Sequence, residues 1–295
     1  MLTETQVDQF QRDGFLNAGT MLSAQVVEEL SLILDDVIRR GPGGFPEGAP
    51  RPILFRDLHA SQSGDYTSKE LVTDHPVWQI LNIWEASPVF RRLIHNPSIV
   101  TAISQLSGFA DLQVWHDQVQ YKPPRAGGAA HWHQDAPLWP SIEPMTPVSA
   151  WIPFDDADTS NGCMWMVPGS HRWGNQRAWL ETHRHLEAVD GFTRFGTFTP
   201  PADAPVRTME PRACPVRRGE VHFHHSLTWH GSPKNMSERP RRAIAIHYMS
   251  STSRFTGQDH VMCRFISLKP GESMALAGPH FPVVMRGGKP VPAPA

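Results

Sequence analysis

This chain of 295 residues is 40% hydrophobic and 19% charged, with a formal net charge of −2. Its length and hydrophobic content allow a sizeable buried core, in one large domain or two smaller ones. The charge is nearly balanced and forms no long block of one sign, which argues against nucleic acid or an anionic membrane surface as a partner. Only three cysteines occur, without CxxC spacing, so neither a disulfide framework nor a thiolate zinc site is expected.

The N-terminal sequence MLTETQVDQFQRDGFL has no basic segment followed by an apolar one, so a secretory signal is not expected. No stretch approaches the ~18 consecutive apolar residues typical of a membrane span. We therefore expect a soluble cytoplasmic protein, monomeric or homodimeric, whose partner is a small-molecule substrate. The 10 tryptophans favour aromatic walls around a pocket, and the 28 prolines favour turns between short strands.

Residues 1–110 are predicted to form a mostly helical N-terminal part. Helix starts are marked by Ser23 as an N-cap and by the pairs Ser87-Pro88 and Asn96-Pro97, and Gly14 follows the first helix. The expected helices cover residues 3–13, 23–40, 88–94 and 97–106, with a short strand at 15–16 and a Gly/Pro-rich loop at 41–51.

Short β-prone segments separated by turn residues dominate from residue 111 onward. They lie at 112–121, 131–134, 147–154, 163–167, 218–224 and 242–250. This spacing is typical of a β-sandwich or jelly roll. Residues 171–215 have weak periodicity and are predicted to be a long insertion over one mouth of the barrel. Residues 251–295 form a C-terminal extension whose last part, 287–295, is expected to be mobile, and the whole chain is predicted to be one domain.

The sequence His133-Gln134-Asp135 contains a candidate pair of metal ligands. On an extended strand, residues i and i+2 point to the same face, so both side chains could reach one ion. A second, distant histidine would complete a set of two imidazoles and one carboxylate, which leaves other coordination positions open. This set is typical of non-haem Fe(II) oxygenases.

The distant histidine has several candidates, and one of the near ligands has a competitor. His222, His224, His225 and His230 lie close together in sequence, and alternation with Val221 and Phe223 predicts a strand that turns His222 and His224 to one side. His131 shares a strand face with His133. A pair of histidines without the carboxylate would also suit zinc.

Three segments of the chain resemble the phytanoyl-CoA dioxygenase (PhyH) family of Fe(II)/2-oxoglutarate-dependent oxygenases. They are KPPRAGGAAHWHQD (122–135), AWIPFDDADTSNGCMWMVPGSH (150–171) and HGSPKNMSERPRRAIAIHY (230–248). The resemblance extends over nearly the whole chain, from Gln9 onward. It implies a mainly β fold with flanking helices, a double-stranded β-helix (jelly roll, cupin-like), and it implies Fe(II), 2-oxoglutarate and O2 as cofactor and co-substrates.

The resemblance also implies roles for individual residues. His133, Asp135 and His230 would be the catalytic metal ligands, because the family places its distal histidine before Gly-Ser, with an arginine eleven residues later. That arginine is Arg241, and its guanidinium suits a carboxylate because it offers two parallel hydrogen bonds. The other residues implied to bind the co-substrate are Ser232, Gln118 and Trp151.

Two details of the co-substrate site stay open on sequence alone. Arg239 and Arg242 are alternatives to Arg241, although Arg242 would point to the opposite face of a strand. Family members often carry a lysine for 2-oxoglutarate in a helical segment before the barrel, and the corresponding segment here, 75–84, has none.

Because Asp135 is present, hydroxylation is expected, since halogenating relatives carry a small residue at that position. The expected reaction hydroxylates a C–H bond of a small, apolar or ring-bearing secondary metabolite and releases succinate and CO2. Trp132, Trp139 and Trp165 are the candidates for the substrate wall, with core packing as the alternative role. Desaturation, epimerisation or ring formation would use the same cofactors. A non-catalytic jelly-roll binding protein and a zinc hydrolase are alternatives of other classes.

Overall fold

A computed structural model describes residues 1–58, 74–125, 128–182 and 210–294. The N-terminal part begins with α1, whose first turn is fixed by a capping box between Thr3 and Gln6, and α1 ends at Gly14, which adopts the left-handed conformation with φ +83°. Ser23 caps α2 by accepting a hydrogen bond from the Val26 N–H. The elements of this part are α1 (Glu4–Asp13), β1 (Phe15–Thr20), α2 (Ala24–Arg40), β2 (Leu54–Asp57), β3 (Trp78–Leu81), α3 (Ile83–Ala86), α4 (Pro88–Ile94) and α5 (Pro97–Ser107).

The remaining described elements are mostly short antiparallel strands. They are β4 (Leu112–Lys122), β5 (Ala130–His133), β6 (Ile142–Glu143), β7 (Val148–Pro153), β8 (Met164–Met166), α6 (Arg177–Thr182), β9 (Arg212–Cys214), β10 (Glu220–His225), β11 (His230–Ser232), β12 (Arg241–Ser250), β13 (Arg254–Phe255), β14 (Val283–Arg286) and β15 (Lys289–Pro290). Among the described residues, none of the helices is long and apolar enough to span a membrane.

Two sheets enclose the interior of the barrel. The larger has the strand order β1-β10-β7-β12-β4-β14-β15, with β3 also paired to β4 and β2 paired to β3, and the smaller has the order β5-β11-β8-β9. Residues of both sheets line one shared cavity. From β4 to β12 the chain passes repeatedly between these two antiparallel sheets, apart from β6, which pairs with β13, so the predicted jelly roll is confirmed.

The larger sheet has an apolar face and a polar face, because side chains alternate along each strand. Val221, Phe223, Ile244 and Ile246 belong to the apolar face, which packs against the helices in the main core. The opposite face points into the barrel and carries His222 and His224 of β10, as the alternation in this segment predicts. The same sheet therefore anchors the helices and supplies the polar lining of the barrel.

Two strands, β2 and β3, lie in the part predicted to be mostly helical. The expectation of a helical segment at 75–84 is wrong for residues 78–81, whereas residues 83 and 84 belong to α3. Trp78 and Ile80 of β3 are buried while Gln79 lines the barrel cavity, an alternation too short to recognise in four residues. At the C-terminus, β14 pairs with β4 and β15 pairs with β14, so residues 287–290 are structured and the prediction of a mobile tail is wrong for them.

The insertion expected at 171–215 lies largely outside the described residues, which omit 183–209. The described residues at its N-terminal end include α6. Those at its C-terminal end include β9, which pairs with β8 and so belongs to the smaller sheet. The prediction that the insertion extends to residue 215 is therefore wrong at its C-terminal end.

Candidate active site

Three predicted ligand side chains meet at one point inside the barrel. His133, Asp135 and His230 each offer one ligand atom, and these three atoms lie within 4.8 Å of one another. The Nε2 atoms of His133 and His230 lie 3.6 and 3.5 Å from Asp135 Oδ1. The two histidines face each other across the β5–β11 pair. Two imidazoles and one carboxylate at this separation could hold a metal ion.

The geometry of this cluster differs in one respect from the sequence prediction. β5 ends at His133, and Asp135 has helical backbone angles at the start of a short 3-10 helix over Ala136–Leu138. The two ligands therefore do not lie on one extended strand. The chain turns after Gln134, and this turn brings the carboxylate to the histidines.

Backbone carbonyls fix the orientation of both histidine rings. His133 Nδ1 lies 2.6 Å from the His131 carbonyl oxygen, and His230 Nδ1 lies 2.9 Å from that of Thr228. A carbonyl can only accept a hydrogen bond, so each Nδ1 carries a proton, and in the neutral form of each ring Nε2 keeps a free lone pair. Both Nε2 atoms point toward Asp135. This arrangement is what a metal site requires of its imidazole ligands.

The second oxygen of Asp135 is held by residues of the larger sheet. His224 Nε2 lies 2.9 Å from Asp135 Oδ2, and the Ser149 hydroxyl donates to the same oxygen at 3.4 Å. Ser149 Oγ also contacts His247 Nδ1 at 2.7 Å. Sequence reasoning placed His224 among the possible ligands but not as the partner of Asp135. That role depends on a contact between β10 and the turn after β5, which the local pattern does not contain.

The electrostatics of the site keep Asp135 ionised. Burial by itself raises the pKa of this carboxyl group, but the nearby imidazoles, first His230 and then His133 and His224, outweigh burial and hold the pKa well below its usual value. Burial lowers the pKa of His247 to about 3, so its ring is neutral at physiological pH. A carboxylate beside neutral imidazoles is the state that binds a divalent metal.

A cavity of about 240 Å³ adjoins the candidate ligands. Two predicted co-substrate residues, Gln118 and Trp151, line this cavity, and so does Ser232. Gln79 also lines it and accepts a hydrogen bond from Arg56 Nε at 2.6 Å. Gln79 lies in the segment where the family lysine was expected, and it was not singled out from the sequence.

Arg241 is the most deeply buried cation of the site. Its side chain is 1% exposed, and its guanidinium carbon lies 5.7 Å from the Trp151 ring centroid. Nε and Nη1 are buried and have no hydrogen-bond partner among the described residues. Burial lowers the pKa of Arg241 to about 10, so the guanidinium is charged at neutral pH. A buried charged donor without a partner is strongly unfavourable, and an anion such as a carboxylate would satisfy it.

The alternative arginines point elsewhere. Arg242 forms ion pairs with Asp155 and Asp35 on the opposite face of β12, and Arg239 pairs with Asp158. Arg242 therefore has the opposite orientation to Arg241, as predicted.

The remaining histidine candidates take other positions. His131 is exposed, and its carbonyl oxygen accepts a hydrogen bond from the Nδ1–H of His133. His225 Nδ1 accepts a hydrogen bond from the Leu227 N–H. His222 is buried on the same face as His224, but its ring nitrogens have no partner among the described residues.

The three tryptophans predicted as substrate wall occupy different places. Trp139 lines the 240 Å³ cavity and packs against His247 with ring centroids 4.3 Å apart. Trp132 lines a second cavity of about 230 Å³, which shares His133 and Leu138 with the first. Trp165 lines neither of these two cavities, and its role as a substrate wall stays a prediction. It packs between two clusters of buried side chains.

Comparison with known sequences identifies the family. The sequence model of the phytanoyl-CoA dioxygenase (PhyH) family matches residues 10–243. The chain belongs to the PhyH family. It is thus a non-haem, Fe(II)/2-oxoglutarate-dependent oxygenase that uses O2, and the resemblance seen in the sequence is confirmed. The converging His133, Asp135 and His230 fit this cofactor, and the buried Arg241 guanidinium, whose Nε and Nη1 have no partner among the described residues, fits this co-substrate.

Curated relatives and solved structures agree with this assignment. A phytanoyl-CoA dioxygenase domain-containing protein 1 from Bos taurus is 26% identical, over 88% of this chain and 94% of its own length. Ectoine dioxygenase from Bordetella parapertussis is 26% identical, over 84% of this chain and 76% of its own length. The 2-oxoglutarate-dependent epimerase SnoN and carbocyclase SnoK of nogalamycin biosynthesis have TM-scores of 0.70 and 0.68, both at 23% identity. Each match covers 96% of this chain. The matched part is 98% of the SnoN chain and 97% of the SnoK chain. The structural matches show a shared fold.

Proposed function

We propose that this enzyme hydroxylates a C–H bond of a small, apolar or ring-bearing metabolite, with iron held by His133, Asp135 and His230. The observation that carries the proposal is the convergence of two Nε2 lone pairs and one carboxylate oxygen beside a cavity. When bound, iron supplies O2 activation coupled to oxidative decarboxylation of 2-oxoglutarate, which yields succinate and CO2 and oxidises the substrate.

Residues around the candidate metal ligands prepare them for iron in two ways. The carbonyls of His131 and Thr228 hold the protons on Nδ1 of the two ligand histidines, so Nε2 is available without a tautomer change. His224 occupies Asp135 Oδ2, which leaves Oδ1 between His133 and His230. These three residues would hold the iron and leave its other coordination positions for co-substrate and O2.

At the other end of the barrel interior, Arg241 would pair with the far carboxylate of 2-oxoglutarate. Its Nε and Nη1 groups lack a partner in the part of the chain that the structure describes, which favours this assignment, and Ser232, Gln118 and Trp151 line the cavity beside it. On β12 the residues between Arg241 and the metal end that face the barrel are Ala243 and Ala245. Their small side chains leave room for a short, extended diacid between arginine and metal.

The substrate would approach His133 from the second cavity. This cavity is lined by Leu138, Leu180 and Trp132, with Arg177 and Glu181 also in its wall. Leu138 and His133 separate it from the first cavity. Mostly apolar walls with a few polar groups favour a ring-bearing molecule with a hydrogen-bonding substituent.

A metabolite screen tests the function. The enzyme, loaded with Fe(II) and supplied with O2 and 2-oxoglutarate, is incubated with candidate metabolites, and succinate is measured. We expect one class of ring-bearing compounds to stimulate succinate release and to gain one oxygen atom by mass spectrometry. Omission of iron, O2 or 2-oxoglutarate should abolish both signals.

The same screen separates the alternatives. A product that has lost two hydrogens indicates desaturation or ring formation, and an unchanged mass with altered chromatography indicates epimerisation. 2-Oxoglutarate binding without succinate release under any condition would indicate a binding protein. Turnover without O2 would indicate a hydrolase.

A further inference from the structure

Lys122, the last residue of β4, is a buried lysine that sequence reasoning did not connect to the site. Its side chain is 4% exposed. Nζ donates to Pro233 O at 2.5 Å, to Ser232 Oγ at 2.7 Å and to Ser232 O at 3.3 Å. Three acceptors for three N–H groups match a protonated ammonium. All three acceptors belong to two consecutive residues at the end of β11.

Lys122 lies beside the proposed carboxylate site. It is the cross-strand partner of Arg241 in the β12–β4 pair, so both side chains project from the same face of the sheet. Neither forms an ion pair with an acidic group among the described residues. Two buried positive charges in one place favour an anion there.

Ser232 connects the lysine to the cavity. Its oxygen accepts from the Lys122 ammonium, and its own hydroxyl hydrogen has no acceptor among the described residues. Ser232 also lines the cavity beside the metal site. Because the ammonium occupies one lone pair of Oγ, the hydroxyl hydrogen is left to donate to whatever anion enters.

The turn at Gly162 leaves space for this arrangement. Gly162 has φ +86°, and a Cβ placed on it would lie 2.7 Å from Pro233 O and 3.5 Å from Lys122 Nζ. A side chain here would collide with the acceptor that holds the lysine. Glycine therefore meets both a backbone and a packing requirement at this position.

We propose that Lys122 is a positioning residue for the co-substrate. It holds Ser232 so that the serine hydroxyl and the Arg241 guanidinium act on the same far carboxylate of a 2-oxo diacid. This inference rests on the proposed function, since it assumes that 2-oxoglutarate binds with its far end at Arg241. Lys122 acts through Ser232 and through local charge, with no role at the metal.

A double-mutant cycle tests the inference. Isothermal titration calorimetry of the Mn(II)-loaded, anaerobic enzyme measures binding of 2-oxoglutarate and of 2-oxopentanoate, which has the same chain length but no far carboxylate. We expect Lys122→Met and Ser232→Ala each to weaken 2-oxoglutarate binding about tenfold. The double variant should bind within about twofold of the weaker single variant, because both changes remove one connected contact. Affinity for 2-oxopentanoate should not change.

Controls keep the result specific. Lys234→Met removes the same charge from an exposed position close to Ser232 and should leave both ligands unaffected. If Lys122→Met does not fold, Lys122→Gln, which retains a donor for the carbonyls, takes its place in the cycle. Mn(II) affinity should be unchanged in every variant.

Two outcomes overturn the inference. Additive losses in the cycle would mean that Lys122 does not act through Ser232. Equal weakening of both ligands would mean that the lysine only maintains the fold. A wild-type enzyme that does not bind 2-oxoglutarate would instead refute the proposed function, and the inference with it.

Discussion

The two ends of the barrel interior differ in how their charged groups are satisfied. At the metal end, the carboxylate of Asp135 is surrounded by imidazoles of the chain itself, including His224 at 2.9 Å. At the other end, Arg241 and Lys122 have no acidic partner among the described residues. The metal end is thus assembled from complementary groups before any ligand arrives, whereas the far end is incomplete without an anion. Substitutions at the two ends should therefore have separable effects.

The largest effect is expected from Asp135→Ala. Loss of the carboxylate leaves only the two imidazole ligands. Fe(II) affinity should fall by more than about a hundredfold, because even residues that only hydrogen-bond the ligands contribute about 10–100-fold. Iron content after equilibrium dialysis measures this loss. Asp35→Ala, in α2 where the aspartate pairs with Arg242, should retain full iron content. Retention of iron by the Asp135 variant would place the metal elsewhere.

Arg241→Met should weaken 2-oxoglutarate binding and leave iron binding unchanged. Removing the buried guanidinium should weaken 2-oxoglutarate binding by at least about thirtyfold, because the carboxylate loses its charged partner. Calorimetry gives the 2-oxoglutarate affinity, and dialysis gives the iron content. Arg242→Met provides a matched control on the opposite face of the same strand. If Arg241→Met also lost its iron, the two ends would not be independent.

His224→Phe should produce an intermediate effect at the metal end. The ring volume is retained, but Asp135 Oδ2 loses its nearest described partner, so we expect iron affinity to fall by about 10–100-fold. His222 is a neighbouring buried histidine whose ring nitrogens have no hydrogen-bond partner among the described residues, so His222→Phe should change iron affinity little. Similar losses in both variants would argue that His224 contributes only packing.

The smallest effect concerns pH. Burial and the nearby Arg241 hold the pKa of Lys122 well below its usual value, with Cys163 acting weakly in the opposite direction. The protonated lysine favours the anion, so 2-oxoglutarate affinity should be full below this pKa and fall severalfold as pH rises through it. Lys122→Met should remove this step and leave a decline only near the pKa of Arg241, about 10. An identical pH profile in wild type and variant would contradict the assignment.

The sequence was sufficient for the main features of the site. His133 and Asp135 stand two apart, and His230 precedes Gly-Ser with Arg241 eleven residues later, so a linear pattern identifies them. The alternation of histidines with Val221 and Phe223 likewise predicted which face of β10 turns inward.

Features that depend on strand pairing were not predictable in this way. His224 of β10 reaches Asp135 in the turn after β5, and Lys122 reaches Ser232 because the end of β4 approaches the end of β11. Gln79 belongs to a strand of four residues, too short for its alternation to stand out against the neighbouring helices. Each of these contacts joins segments distant in sequence, and no local periodicity records such a contact.

A crystal structure of the anaerobic enzyme with Fe(II) and 2-oxoglutarate, with anomalous data collected at the iron edge, would test the central assignment most directly. Our account predicts one iron peak within bonding distance of His133 Nε2, His230 Nε2 and Asp135, with the far carboxylate of 2-oxoglutarate on Arg241. An iron peak centred on His222 and His224, or a diacid bound away from Arg241, would contradict it.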